Sequence, residues 1–128
     1  MSEENVEVVR KLFSTLERNE AEALLELFDE DVEWSPVEGK YHGIEGVGAA
    51  WVDWMESWDQ HRIEPEEFIE SGEDRVLAVI RLTARGEGSG MEIDQRFFQV
   101  YTVREGKIVR MVEYVDRSPA LEAAGLSE

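Results

Sequence analysis

Glu113 is the residue whose neighbours point most directly to chemistry. It lies in GKIVRMVEYVDR, Gly106–Arg117, which alternates as a half-buried β-strand does, with side chains on opposite faces at each step. One face carries Val109, Met111, Glu113 and Val115. Burying a carboxylate among three apolar side chains costs far more than a Val or Met there would gain, so it needs partners. Arg81 in RVLAVIRLTAR offers a cation, and Gln95 and Gln99 in MEIDQRFFQVYTV offer amides. If the hairpin through GEGSG is symmetric about Gly88, Arg81 lies across from Gln95, and a bulge at Gly106 brings Gln99 or Phe97 beside Glu113. Such a cluster would be the polar end of an apolar pocket, with Glu113 as acid or base and Arg81 and the amides as orienters or oxyanion donors. A buried ion pair that only neutralises two charges is the other reading. Trp34, Trp51, Met55, Phe97, Tyr101 and Met111, with Gln95 and Gln99, are the candidate walls. The tryptophans are first of all core, and pocket lining second.

Other chemistries lack their residues. GEGSG joins two strands rather than opening a helix, so it reads as a hairpin turn and not a phosphate cradle. Ser89 has no strand-to-helix elbow to expose it as a nucleophile. With no cysteine, two histidines and no HExxH pattern, a zinc site has no ligand set. His42 reads as a loop histidine. No cofactor and no metal are expected.

The 128 residues predict one domain with a proper core. Thirteen Lys and Arg against thirty Asp and Glu give a net charge of -17, which repels phosphate backbones and anionic lipid alike. Neither nucleic acid nor membrane is an expected partner. The acidic start MSEENVEVV does not resemble a secretory signal, and no segment approaches the ~20 apolar residues of a membrane helix. A cytoplasmic protein is the default expectation.

The elements that must position these residues come as helices first and strands second. Val6, Val9, Leu12, Phe13 and Leu16 form a helical stripe over Glu3–Arg18. Asn19 with Glu22 has the form of a capping box, opening a short helix through Leu24, Leu25, Leu27 and Phe28. Val32–Ser35 alternates as a short strand, and Ile44, Val47, Trp51, Met55 and Trp58 predict a third helix. From Arg62 to Arg117, turn signals separate four long strands, with Pro65 placing the first at an edge or near a bulge. Ser118 as N-cap and Pro119 begin a terminal helical turn closed by Gly125. This order is an α+β fold, three N-terminal helices packed on an antiparallel sheet. The sheet is apolar on both faces, and three helices can cover only one. A second subunit is therefore expected on the outer face, near Ile80, Leu82, Phe98, Val100, Val112 and Tyr114.

Taken together, LFDEDVEW, the loop ending YHGIEGV, the tryptophan-rich helix and the closing GKIVRMVEYVDRSPALEAAGL resemble the SnoaL-like family of the nuclear transport factor 2-like superfamily over essentially the whole chain. The resemblance implies a cone-shaped roll with a strongly curved sheet, an apolar pocket for a small molecule, and dimerisation through the outer sheet face. It also implies cofactor-independent acid/base chemistry of the cyclase, isomerase, dehydratase or hydrolase type on a small apolar or aromatic metabolite, or else a non-catalytic ligand-binding or dimeric interaction module of the same fold. The ketosteroid isomerase base falls on Ser35 and Pro36 here, and that enzyme's helix-one Tyr on Leu12. For limonene-type epoxide hydrolases, Arg81 and Glu113 match the Arg and the last-strand acid, while Thr83 replaces the first Asp and Trp34 and Pro36 replace the water holders. Scytalone-type dehydratases use two pocket histidines, whereas His42 lies in a loop and His61 beyond a helix end.

Overall fold

The computed structural model describes residues 2–18, 20–37, 39–56, 58–72, 74–86 and 92–126. Helix α1 (Ser2–Glu17) is followed by α2 (Ala21–Leu25), β1 (Phe28–Ser35), β2 (Tyr41–His42) and α3 (Gly43–Glu56). The long strands β3 (Trp58–Ser71), β4 (Arg75–Gly86), β5 (Glu92–Arg104) and β6 (Lys107–Tyr114) come next, and α4 (Arg117–Ala123) closes the chain. The strands form one curved, unclosed sheet in the order β2-β1-β6-β5-β4-β3. The fold is α+β, as expected, with a fourth helix after the sheet.

The boundaries moved for physical reasons. Phe28 begins β1 rather than ending α2, and the acidic Asp29–Asp31 run lies inside that strand. The register between Phe28 and Glu33 is irregular, and Asp29 Oδ2 accepts the Asp31 amide at 2.9 Å, so the run forms a local bulge that leaves Glu30 and Asp31 outside the core. Strand β1 pairs parallel with β6 and antiparallel with β2, so the sheet is not antiparallel throughout. Trp58 opens β3 instead of closing α3. Pro65 sits on edge strand β3 beside a register shift between Pro65 and Glu67, where its missing donor is harmless. Asn19 and the turn at 87–91 lie outside the described residues.

Along the inner face, α1 buries Val6, Val9, Leu12 and Phe13 against Val76, Ala78, Ile80, Tyr101, Ile108 and Met111 of the sheet. The β5–β6 turn is held by Glu105 and Gly106, both at positive φ (51° and 77°), the pairing that a two-residue hairpin loop with a primed turn requires.

The outer face is covered differently from expectation. Ala120, Leu121 and Ala124 of the C-terminal segment pack on Leu77, Val79, Phe98 and Val100. A helix of the same chain therefore covers much of the surface assigned to a second subunit. Its N-cap is Asp116 rather than Ser118. Its end is pinned by Arg75 Nη1 donating to the Ala123 carbonyl at 2.8 Å and by Gly125 at φ 79°. Ile80 and Leu82, expected at that outer contact, point inward instead, as the β4 register requires.

Candidate functional site

Strands β5 and β6 pair with Gln99 opposite Glu113 and Tyr101 opposite Met111. The bulge falls between Thr102 and Val103, opposite Val109. Ile108 thereby takes the core position expected for Val109 and is fully buried, as is Met111. Glu113 lies on the inner face, half-buried, while Val115 is exposed.

Strand β5 and the segment just past β1 supply the atoms around that carboxylate. Gln99 Nε2 donates to Glu113 Oε2 at 2.7 Å. The backbone N–H of Val37, just past β1, donates to Oε1 at 3.2 Å. Behind them the Tyr101 hydroxyl donates to Gln99 Oε1 at 2.5 Å. Gln99 is 7% exposed and Tyr101 1%, so water cannot replace the bond between them and breaking it would cost about 1–3 kcal/mol, whereas the bond from Val37 is exposed. Both Glu113 oxygens accept, which is the bonding of a carboxylate rather than of an acid. Burial pushes the Tyr101 hydroxyl well above the ordinary phenol range, with the Glu113 charge adding to the effect.

Aromatic rings wrap the relay. The Tyr101 ring lies 6.2 Å from Trp34 and 6.4 Å from Phe13, and Trp34 meets Phe28 edge-on at 5.6 Å. Trp34 faces Met111 across the parallel β1–β6 pair and is half-buried, as is Phe97, which lies opposite Ile80 on the inner face. Trp51 on α3 is also half-buried and stands edge-on to His61 at 6.2 Å. His61 belongs to β3 opposite Ala84, and desolvation lowers its imidazole pKa. Gln95 occupies an inner-face register position opposite Leu82 but is exposed. The side chain of Met55 lies outside the described residues.

The expected Arg81–Glu113 pair is not formed. Arg81 lies opposite Arg96 and Leu82 opposite Gln95, one residue away from the register symmetric about Gly88. A slip of one residue turns every side chain of a strand to the other face, so β4 presents Arg81 outward. There its Nε and Nη2 donate to Asp94 Oδ1 and Oδ2 at 2.9 and 2.7 Å. Hydrogen bonding to Arg81 holds the Asp94 carboxyl below the usual carboxylate range. Among the described residues no Lys or Arg forms an ion pair with Glu113. The Val37 donor was missed because a backbone N–H leaves no mark on residue type.

Two clefts of about 410 and 810 Å³ open beside α1, lined by Glu7 and Arg10 among others, and neither touches these residues. Among the described residues no group of three His, Asp or Glu side chains could hold a metal ion, and no described helix is long and apolar enough to cross a membrane.

The model of the SnoaL-like domain matches residues 9–111. This chain belongs to the SnoaL-like family. A nuclear transport factor 2-like protein from Burkholderia xenovorans is 30% identical, with a TM-score of 0.75 and 97% of each chain covered. An uncharacterised protein of Mycobacterium tuberculosis is 27% identical over 93% of this chain and 94% of its own. The Mycobacterium tuberculosis protein Rv0760c, solved with estradiol-17β-hemisuccinate, superposes with a TM-score of 0.76 at 20% identity, over 88% of this chain and 94% of its own. The shared fold does not fix a chemistry, which has to be read from this chain's own side chains.

Proposed function

We propose that this SnoaL-like protein binds a small, largely apolar or aromatic molecule between α3 and the inner sheet face and performs cofactor-independent acid/base chemistry on it, with Glu113 moving the proton. The reaction is of the cyclase, isomerase, dehydratase or hydrolase type. One observation carries the reading: Glu113 is a half-buried carboxylate held on both oxygens by neutral donors, with no ion pair to a Lys or Arg among the described residues. A carboxylate not engaged by a cation is available to a substrate as acceptor or base. Trp34, Trp51 and Phe97 supply apolar walls, and the steroid ester held by the Mycobacterium tuberculosis neighbour is a ligand of the matching kind. Arg81 has no part in this site. A second copy on the outer face, beside half-buried Val112 and Tyr114, belongs to the same proposal, and sedimentation at micromolar concentration checks it.

Binding without turnover is the second reading. It is favoured by the packing of Phe13 and Trp34 on Tyr101, which fills the interior behind Glu113. Deuterium uptake by 2-tetralone in D2O separates the two, because a general base takes the acidic C–H proton and the enolate recovers a deuteron from solvent. Wild-type protein should accelerate uptake by about 100-fold or more and Glu113→Gln should abolish the gain. Equal rates for both proteins would leave the binding module.

A further inference from the structure

We infer that the buried Tyr101 hydroxyl sets the direction of the Gln99 amide and thereby keeps Glu113 a hydrogen-bond acceptor, so that the site selects ligands bearing a donor, such as a phenol or enol O–H. The inference rests on the pocket reading above and adds to it the polarity of the ligand and a positioning residue.

A side-chain amide can be reversed end for end, and here reversal would change the chemistry. In the observed direction Tyr101 donates to Gln99 Oε1, and Gln99 Nε2 donates to Glu113. Reversed, the amide oxygen would face Glu113 Oε2, two acceptors at hydrogen-bond distance, which is tolerable only if Glu113 carries a proton and donates it. The reversed amide would present its N–H to the Tyr101 oxygen, leaving the phenolic proton to find another acceptor. Among the described residues Gln99 is the only partner recorded for that hydroxyl, which is 1% exposed, so the reversed state strands a buried donor. Tyr101 makes the two directions unequal, and its neutral form persists because burial disfavours the phenolate.

The second donor, Val37 N–H, is backbone and cannot reverse. Glu113 therefore meets donors on both sides and has only acceptor capacity left for a ligand. An O–H donor gains a charge-assisted bond there, while an ether or carbonyl oxygen in the same place meets a like partial charge.

The test pairs 2-naphthol with 2-methoxynaphthalene, near-isosteres that differ in the donor, each titrated into 15N-labelled protein while the Trp34 indole N–H signal is followed. Wild type should bind the naphthol about tenfold or more tighter. Glu113→Gln should remove the preference. Tyr101→Phe, checked by its melting curve to be folded, should shrink the preference and move the pH at which it is lost upward, which a residue that only fills the core would not do. A full preference with an unchanged pH profile in Tyr101→Phe overturns the inference. If neither probe moves the indole signal, the pocket reading fails, and the Gln99 side-chain NH2 resonances still decide the inference. Their displacement in both Glu113→Gln and Tyr101→Phe supports it, and their constancy in either overturns it.

Discussion

The sheet carries polar residues on both faces, from β5 and β6 on the inner one and from β3, β4 and β5 on the outer, and the two faces treat them in opposite ways. On the inner face Tyr101, Gln99 and Glu113 form a chain of neutral donors ending on one carboxylate, buried at one end and half-buried at the other. On the outer face Arg81 pairs with Asp94 and Arg96 with Glu66 at 2.6 Å, with side chains that stay 34–60% exposed. The outer charges are bound to one another and screened by water, so they contribute little stability. Gln99 and Tyr101 have lost their water and are satisfied by each other and by half-buried Glu113, which makes each hard to replace.

The contrast can be broken first where the inner face is most buried. Tyr101→Ala should lose about 3–5 kcal/mol, since it empties the space between Phe13 and Trp34. Denaturant unfolding checks this, and a loss comparable to that of Arg81→Met would erase the distinction between faces. Tyr101→Phe should cost about 1–3 kcal/mol, because it leaves the Gln99 carbonyl oxygen unsatisfied in a buried place.

Alkaline pH should sharpen the same contrast. The folded-state pKa of Tyr101 is raised, so its contribution is fully present below the unfolded phenol value of about 10 and is lost as pH rises through the folded value. Wild type should therefore lose midpoint temperature above about pH 10 more steeply than Tyr101→Phe. The outer ion pairs act at the other end of the scale. Asp94 and Glu66 have depressed folded pKa values, set first by their hydrogen bonds to Arg81 and Arg96. Their contribution is present above the unfolded carboxylate range and lost as pH falls through the folded values. Arg81→Met should give the smallest effect of all, a melting midpoint at neutral pH indistinguishable from wild type.

Part of this was legible in the sequence, and the rest depends on contacts that no local pattern specifies. Periodicity placed Glu113, Met111 and Tyr101 on the inner face, because β5 and β6 are joined by a short turn, Glu105–Gly106, whose geometry fixes the register. The symmetry of a glycine-rich turn leaves the β4–β5 register loosely specified, and a one-residue difference decides whether Arg81 faces outward, as it does, or toward the site. The parallel β1–β6 pairing that brings Val37 to Glu113 is long-range and carries no local signal. The terminal helix could be read from Pro119 and Gly125, but its docking onto Phe98 and Val100 depends on which sheet face lies uncovered.

Under the proposed function a ligand meets the protein at Glu113 on the inner face. Intermolecular nuclear Overhauser contacts from 2-naphthol test it most directly. The account predicts contacts to the rings of Trp34 and Phe97 and none to Phe98 or Val100, which face the other way under α4. Contacts confined to the outer face, or to the clefts beside α1, would contradict it.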